Sequence, residues 1–421
     1  MCIMCLCGSQ RCGRKYITLL RKSFSKKFMK IAIFTNNYLP NPYGVSGSVE
    51  SFRKEFEKLD HEVFIFAPRW KGYKDENQNV FCYPSLDIEI KIKFPLAIPY
   101  SQKISKILKN LNLDIIHSQH PNLLGSAAAK WAKKKNIPLV FTWHTLYDQY
   151  AHFIPFVPQR LAAWWAIRNA RNYANRCDAV VTPTESVIEI IKKWGVTNEN
   201  IYSVPTGVEE EQFADPDRRQ IREKYDVQDD ETLLVLISRL TAEKNVELLV
   251  NAAIGVLQRN NRVKFMICGD GYLKGKLKDI VLKEKLGNRI IFVGVVPSEE
   301  KKNYYAAGDI FVYASKSETQ GMILTEAMYS GLPIVAVRAT GVRDIVENGK
   351  TGFLVSENKQ EFQEMVEKLI SDSVLRKDFS ENAKKIAREK YTSSVCAKKM
   401  LEIYEKLSFK RSERQLASRK A

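Results

Sequence analysis

Two glutamates pose the first chemical question. In SETQGMILTEAMYSGLP, residues 317–333, Glu318 and Glu326 are separated by seven residues, and Gly321 lies between them where a loop turns into a helix. Such a loop and helix start can present backbone N–H groups to an anionic or hydroxyl-rich ligand, helped by the helix dipole. One carboxylate then stands before the helix and the other about a turn and a half inside it. A Glu pair at this spacing usually means solvated helix charge, but its place directly after the apolar run 309–314 gives it weight. The second constellation is ISRLTAEKN, residues 237–245, where Arg239 and Lys244 follow another apolar run. Two cations at a strand end can neutralise a diphosphate, Arg through a bidentate fork and Lys as a point charge.

Three weaker signals accompany them. The segment NPYGVSGSVESF, residues 41–52, offers Gly44 and Gly47 for close backbone approach to a phosphate and Ser48 as an N-cap. It does not match G-x-G-x-x-G, and Gly269 in GDG is equally modest as a nucleotide motif. His144, in FTWHTLYDQY, ends an apolar run beside Thr145 and Tyr147 and is placed to contact a polar ligand; His120, in HSQHP, is the lesser candidate. No P-loop, H-E-x-x-H or Ser/His/Asp arrangement stands out. No Cys or His pairs recur at ligand spacing, so no zinc site is expected.

Elements must bring these residues together. Short β-branched runs alternate with helical patterns, at 31–35, 62–67, 114–118, 138–142, 178–182 and 201–204, then at 232–238, 263–269, 289–293, 309–314 and 333–337. Most are continuously apolar, as strands covered by helices on both faces must be. The expectation is an α/β chain of two Rossmann-like, doubly wound domains facing across a cleft, with ligands at the carboxyl ends of both sheets. The junction falls in the acidic, Gly- and Pro-containing stretch 206–217. The divisions are a basic, Cys-rich extension at 1–28, a first domain at 29–205, a second at 206–390, and a helix with a basic tail at 391–421 that packs back on the first domain.

Composition narrows the classes. A chain of 421 residues, 45% hydrophobic and 27% charged, has room for two or three folded cores and is not a disordered one. No run of about 18 apolar residues is present, so no membrane-spanning helix is expected. The net charge of +18 is uneven. Residues 1–28 hold seven basic and no acidic residues, 410–421 hold five basic and one acidic, 29–205 carry +7, and 206–409 are neutral. Nucleic acid, anionic lipid and anionic substrate each attract such a surface. With no reader module or concentrated basic, aromatic groove, nucleic acid is not expected as a partner. Four of the eight cysteines (Cys2, Cys5, Cys7, Cys12) crowd the first twelve residues and the others are single, which reads as free thiols in a reducing compartment. The first 28 residues read either as a stretch upstream of a true start at Met29 or as a basic amphipathic anchor presenting Ile17, Leu20 and Phe24; they do not read as a signal peptide.

In this order, the Gly44 loop, HTLY from His144, TGVEEEQF at the junction, SRLTAEKN, GDG and above all the E-x7-E pair resemble a family-four retaining glycosyltransferase of the GT-B fold, over residues 29–390. The resemblance implies transfer of a sugar from a nucleotide donor to an acceptor with retention of anomeric configuration and without a metal cofactor. Arg239 and Lys244 would hold the diphosphate and stabilise the charge that develops on it. Glu326 would bind the ribose. Glu318, with backbone groups around Gly321 and Met322 and with Leu324 beside them, would hold the sugar. His144 would contact the sugar from the other domain, the Gly44 loop would close over the diphosphate, and attack would come from the face the leaving phosphate vacates.

The fold assigns the acceptor to the first domain, where the surplus charge lies. The segment DQYAHFIPFVPQRLAAWWAIRNARNYANR, residues 148–176, interleaves Phe153, Phe156, Trp164 and Trp165 with Arg160, Arg168, Arg171 and Arg176. Aromatic and basic residues together suit the headgroup boundary of an anionic bilayer. The stretch LYDQYAHFIPFVP is similar to membrane-associated diacylglycerol glucosyltransferases of this family. A Lys-rich helix at 101–113, with Ile104, Ile107, Leu108 and Leu111 on one face, reads equally as a second membrane contact or as an ordinary core-facing helix. The expectation is a cytoplasmic enzyme at the inner face of the membrane, moving glucose from UDP-glucose to a lipid. A soluble or polysaccharide acceptor and another donor sugar stay open.

Overall fold

The structure is a computed structural model that describes residues 28–41, 44–89, 93–150, 158–316 and 318–420. The basic extension, apart from Phe28, and the aromatic residues Phe153 and Phe156 lie outside the described residues.

The first half holds β1 (Lys30–Phe34), β2 (Glu62–Pro68), β3 (Val80–Tyr83), β4 (Ser85–Glu89), β5 (Lys93–Ala97), β6 (Ile115–Ser118), β7 (Leu139–Thr142), β8 (Ala179–Thr182) and β9 (Ile201–Ser203). Seven of these form a parallel sheet in the order β3-β2-β1-β6-β7-β8-β9, with β4 and β5 as a separate antiparallel pair. Alternate residues of each inner strand feed different cores: Ala32 and Phe34 pack with Phe64, Phe66 and Phe141, whereas Ile31 and Ile33 pack with Ile65, Ile115 and Val140. Both faces of the sheet are therefore buried, which is why the strands read as unbroken apolar runs. The final helix, Ser393–Lys420, closes one face through Cys396, Met400, Tyr404 and Leu407. Buried His117 on β6 links Thr142 and Tyr404 through its two ring nitrogens.

The second half holds β10 (Thr232–Ile237), β11 (Val263–Cys268), β12 (Ile290–Gly294), β13 (Ile310–Tyr313), β14 (Ile334–Val337) and β15 (Gly352–Val355). They form a parallel sheet in the order β12-β11-β10-β13-β14-β15. The strands stay parallel, but the order in which successive strands are added reverses between β1 and β6 in one sheet and between β10 and β13 in the other. The loops there part to opposite faces and leave a crevice at the carboxyl ends of the strands.

Several local expectations are corrected. Ser48 is not an N-cap: the helix begins at Gly44 and runs to Lys58, so Ser48 sits inside its first turns. Within the junction, Glu210–Phe213 form a short 3₁₀ turn. The Lys-rich helix spans Gln102–Asn110 and turns Ile104 and Leu108 into the core, so its lysines are the solvated face of an ordinary helix. Strands β3, β4, β5 and β15 are additional; β3 and β15 are four-residue edge strands and β4 and β5 form a hairpin of mixed polarity, all too short for periodicity to be a strong signal.

Candidate active site

The second sheet puts its switch point between the two strongest motifs. Past the end of β10 the chain runs through Arg239 into the turn Ala242–Lys244, and past the end of β13 it reaches Glu318. Lys244 Nζ pairs with Glu318 Oε1, and the Tyr313 hydroxyl, at the last residue of β13, donates to the same oxygen. Lys244 Nζ also lies 3.5 Å from the Tyr313 hydroxyl. The Lys244 and Glu318 side chains are only 13% and 12% exposed, so this pair is shielded from screening. Arg239 is placed differently: it is half exposed and pairs with Glu243 at 3.1 Å, free to swing toward an anion. The Glu243 carboxyl is held below its ordinary value; burial opposes this, and its own backbone N–H with the charges of Arg239 and Lys244 outweighs it.

The helix Met322–Tyr329 starts at Gly321, whose φ of +74° is a left-handed conformation that favours glycine. Glu326, in this helix, accepts from the Tyr305 hydroxyl at 2.7 Å and lies 3.9 Å from Lys301 Nζ. Burial, and then the Glu326 charge, push the Tyr305 phenol well above its ordinary value, so it stays a donor. The Leu324 side chain is fully buried in the core, and its N–H bonds the Gly321 carbonyl at 2.8 Å. Gly269 has a packing reason: a Cβ there would stand 1.8 Å from the Ser238 carbonyl oxygen, in a backbone with φ of +148°. The GDG turn thereby buttresses the segment that carries Arg239, and Leu240 N–H bonds the Asp270 carbonyl at 2.9 Å.

Across the crevice, the ends of β1, β6 and β7 carry a polar network. His144 Nε2 donates to Gln119 Oε1 at 2.7 Å, and His120 Nδ1 accepts the Asn36 N–H at 3.1 Å. Burial pushes His144 down to about 3, aided by His120 and His117, and pushes His120 down to about 4. Both rings are therefore neutral donors and acceptors at physiological pH, not cations. Asn36 and Asn122 lock the same rim, and Asn169 of the helix Gln159–Ala174 bonds Asn122. On that helix Leu161, Trp164 and Trp165 are 60%, 58% and 57% exposed, with Arg160 exposed nearby and Arg168 over the Trp164 ring at 5.4 Å.

The two halves are tied together near Glu318. Ser48 Oγ lies 2.7 Å from Thr206 Oγ1, Thr184 Oγ1 donates to the Thr319 carbonyl at 2.7 Å, and Ser186 bonds Asp344. Sequence reasoning missed Tyr313, Tyr305, Gln119 and Gln320. A tyrosine ending an apolar strand next to E-x7-E was an available signal for Tyr313; the other three carried none. Among the described residues no group of three or more His, Cys, Asp or Glu is gathered as for a metal, and no helix is long and apolar enough to cross a membrane.

Comparison with known proteins agrees with this geometry. Residues 42–212 match the family model "Glycosyltransferase Family 4", and residues 217–386 match "Glycosyl transferases group 1". Alpha-monoglucosyldiacylglycerol synthase from Streptococcus pneumoniae is 32% identical over 73% of this chain and 71% of its own. The synthase of the same name from Acholeplasma laidlawii is 28% identical over 89% and 96%. A GDP-mannose-dependent alpha-mannosyltransferase from Corynebacterium glutamicum is 26% identical over 82% and 81%. Among solved structures, Anabaena HepE in complex with UDP superimposes with a TM-score of 0.72 at 19% identity, over 90% of this chain and all of that one. Two parallel-sheet domains, the ordered motifs and these matches lead to one statement: the chain belongs to glycosyltransferase family 4 and has the GT-B fold.

Proposed function

We propose that this glycosyltransferase transfers glucose from UDP-glucose to a lipid such as diacylglycerol, with retention of configuration, at the surface of an anionic membrane. The observation that carries the lipid assignment is the helix Gln159–Ala174. It exposes Leu161, Trp164 and Trp165 beside Arg160 and Arg168 while Asn169 anchors it to the crevice rim. Such a face fits the boundary between acyl chains and anionic headgroups. The two synthases named above support the same acceptor and a glucosyl donor.

In this reading Arg239 and Lys244 neutralise the diphosphate, the task a divalent cation performs elsewhere, so no metal cofactor is required. Lys244 exchanges Glu318 for a phosphate oxygen when the donor arrives. Glu318, still held by Tyr313, then accepts from sugar hydroxyls together with the backbone around Gly321 and Met322. Glu326, oriented by Tyr305, accepts from the ribose. Neutral His144 meets the sugar from the facing half, and the helix start at Gly44 lies over the diphosphate. The leaving phosphate takes the acceptor proton on the face it vacates, so configuration is kept without a carboxylate nucleophile.

The test supplies purified protein with radiolabelled UDP-glucose or GDP-mannose, and with diacylglycerol in anionic vesicles or soluble sugars as acceptor, with and without chelator. Chelator-resistant glucosylation of lipid is expected. Fast transfer to soluble sugars with no effect of lipid overturns the acceptor, and turnover of GDP-mannose alone overturns the donor.

A further inference from the structure

The loop between Glu318 and Gly321 is held from far away in the chain. Gln320 is 4% exposed, and its amide spans one residue of the junction: Oε1 accepts the Thr206 N–H at 2.7 Å and Nε2 donates to the Thr206 carbonyl at 2.7 Å. A single side chain thereby satisfies both backbone groups of a buried residue, as a neighbouring strand would. Thr206 is in turn joined to the first half through Ser48, and Thr184 grips the next carbonyl, that of Thr319. From the other side Gly341 approaches so closely that a Cβ would lie 2.9 Å from the Glu318 carbonyl oxygen, while its N–H donates to Ser186 Oγ at 2.9 Å. The backbone that bears Glu318 is thus bracketed by the junction and Thr184 of the first half on one side and, on the other, by Gly341, whose own N–H is held by Ser186 of the first half.

We propose that Gln320 is a positioning residue for sugar transfer: its amide fixes loop 318–321 against the junction, so that the placement of the Glu318 carboxylate follows the setting of the two halves. This rests on the donor-site reading above. The chemistry needs one donor and one acceptor on the same planar group. A glutamine amide or a protonated carboxylic acid supplies both; a carboxylate supplies acceptors only, and leucine neither.

That requirement gives the test, Gln320→Leu and Gln320→Glu in the full chain. In Gln320→Leu, kcat for lipid glucosylation falls about 100-fold at every pH, the scale of a misplaced contact, while UDP affinity measured by calorimetry stays within about twofold. In Gln320→Glu, burial and the opposed Thr206 carbonyl raise the carboxyl pKa. The acid form rebuilds both bonds, so activity relative to wild type is near one at about pH 5.5 and falls toward the Gln320→Leu level by about pH 8. Wild-type turnover in Gln320→Leu overturns the proposal. So does a flat ratio in Gln320→Glu, or parallel loss of kcat, UDP binding and thermal stability in both variants, which assigns Gln320 to folding alone. Wild-type protein that turns over no nucleotide sugar is a different failure: it removes the donor-site reading and this inference with it.

Discussion

Replacing Trp164 and Trp165 together by glutamine tests the membrane-facing helix most directly. Glutamine preserves helix propensity, and the positions are 58% and 57% exposed, so little core packing is at stake. A full indole side chain presents about 250 Å², so each ring offers roughly 140 Å² to a membrane. If half of that enters the acyl boundary, about 25 cal/mol per Å² gives about 1.7 kcal/mol per ring. The pair then supplies about 3.5 kcal/mol, roughly 300-fold in partition. Arg160 and Arg168 add about 1 kcal/mol each against an anionic leaflet, and salt screens that contribution within about 8 Å. Co-sedimentation with vesicles at low and high salt separates the two. The Trp164→Gln/Trp165→Gln variant should lose about 300-fold in partition at both salts, whereas Arg160→Gln/Arg168→Gln should lose about 30-fold at low salt and little at high salt. Transfer to soluble acceptors, if any is measurable, should be unchanged in both. A double-tryptophan variant that sediments and glucosylates lipid like wild type refutes the assignment.

Three further outcomes follow from the geometry. Lys244→Met should lower kcat about 100-fold or more by removing a charge from the diphosphate, and should cost about 3 kcal/mol of stability because the shielded Glu318 carboxylate keeps the Tyr313 hydroxyl but loses its cation. Adding Glu318→Gln should restore the urea midpoint but not the activity; full activity in Lys244→Met defeats the donor-site reading. His117, His120 and His144 are pushed by burial to about 3, 4 and 3, so the folded state disfavours their protonation. Their effect on stability is nil above the ordinary value of about 6.5 and grows as pH falls toward 4, reaching about 2 kcal/mol per histidine near pH 5. Urea midpoints that stay level from about pH 7 to pH 5 contradict that burial. Gly269→Ala forces a Cβ to within 1.8 Å of the Ser238 carbonyl and into φ of +148°, so a loss of more than about 2 kcal/mol is expected by calorimetry, along with weaker UDP binding through the displaced Arg239 segment.

The alternation of apolar runs with helical periods was enough to locate eleven parallel strands, because a strand buried on both faces has no polar side to confuse the pattern. The E-x7-E pair and SRLTAEKN were legible because both follow the inner strands of one sheet, β13 and β10, with Glu318 on the loop and Glu326 in the helix that the loop enters. Strand β15 and the hairpin of β4 and β5 were not, since a four-residue run is too short to show a period and the hairpin strands are of mixed polarity. Residue type alone also did not tell that the Leu324 side chain, on the helix of Glu326, faces the core.

What the chain determined by itself was the inventory: two carboxylates, two cations, two strand-end histidines and an aromatic, basic segment, each at a place in the chain where a strand ends or a helix begins. Tertiary structure decided their partners. Lys244 and Glu318 are distant in sequence, and the neighbouring ends of β10 and β13 make them a pair. Gln320 and Thr206 are separated by 114 residues, and nothing in a one-dimensional pattern joins an amide to a backbone so remote. Whether Trp164 and Trp165 belonged to a core or a surface was equally undecided, because the helix period tells which residues share a face and not what that face meets. Burial, shared hydrogen bonds and the resulting shifts in proton affinity are properties of neighbours in space, and only the fold supplies those.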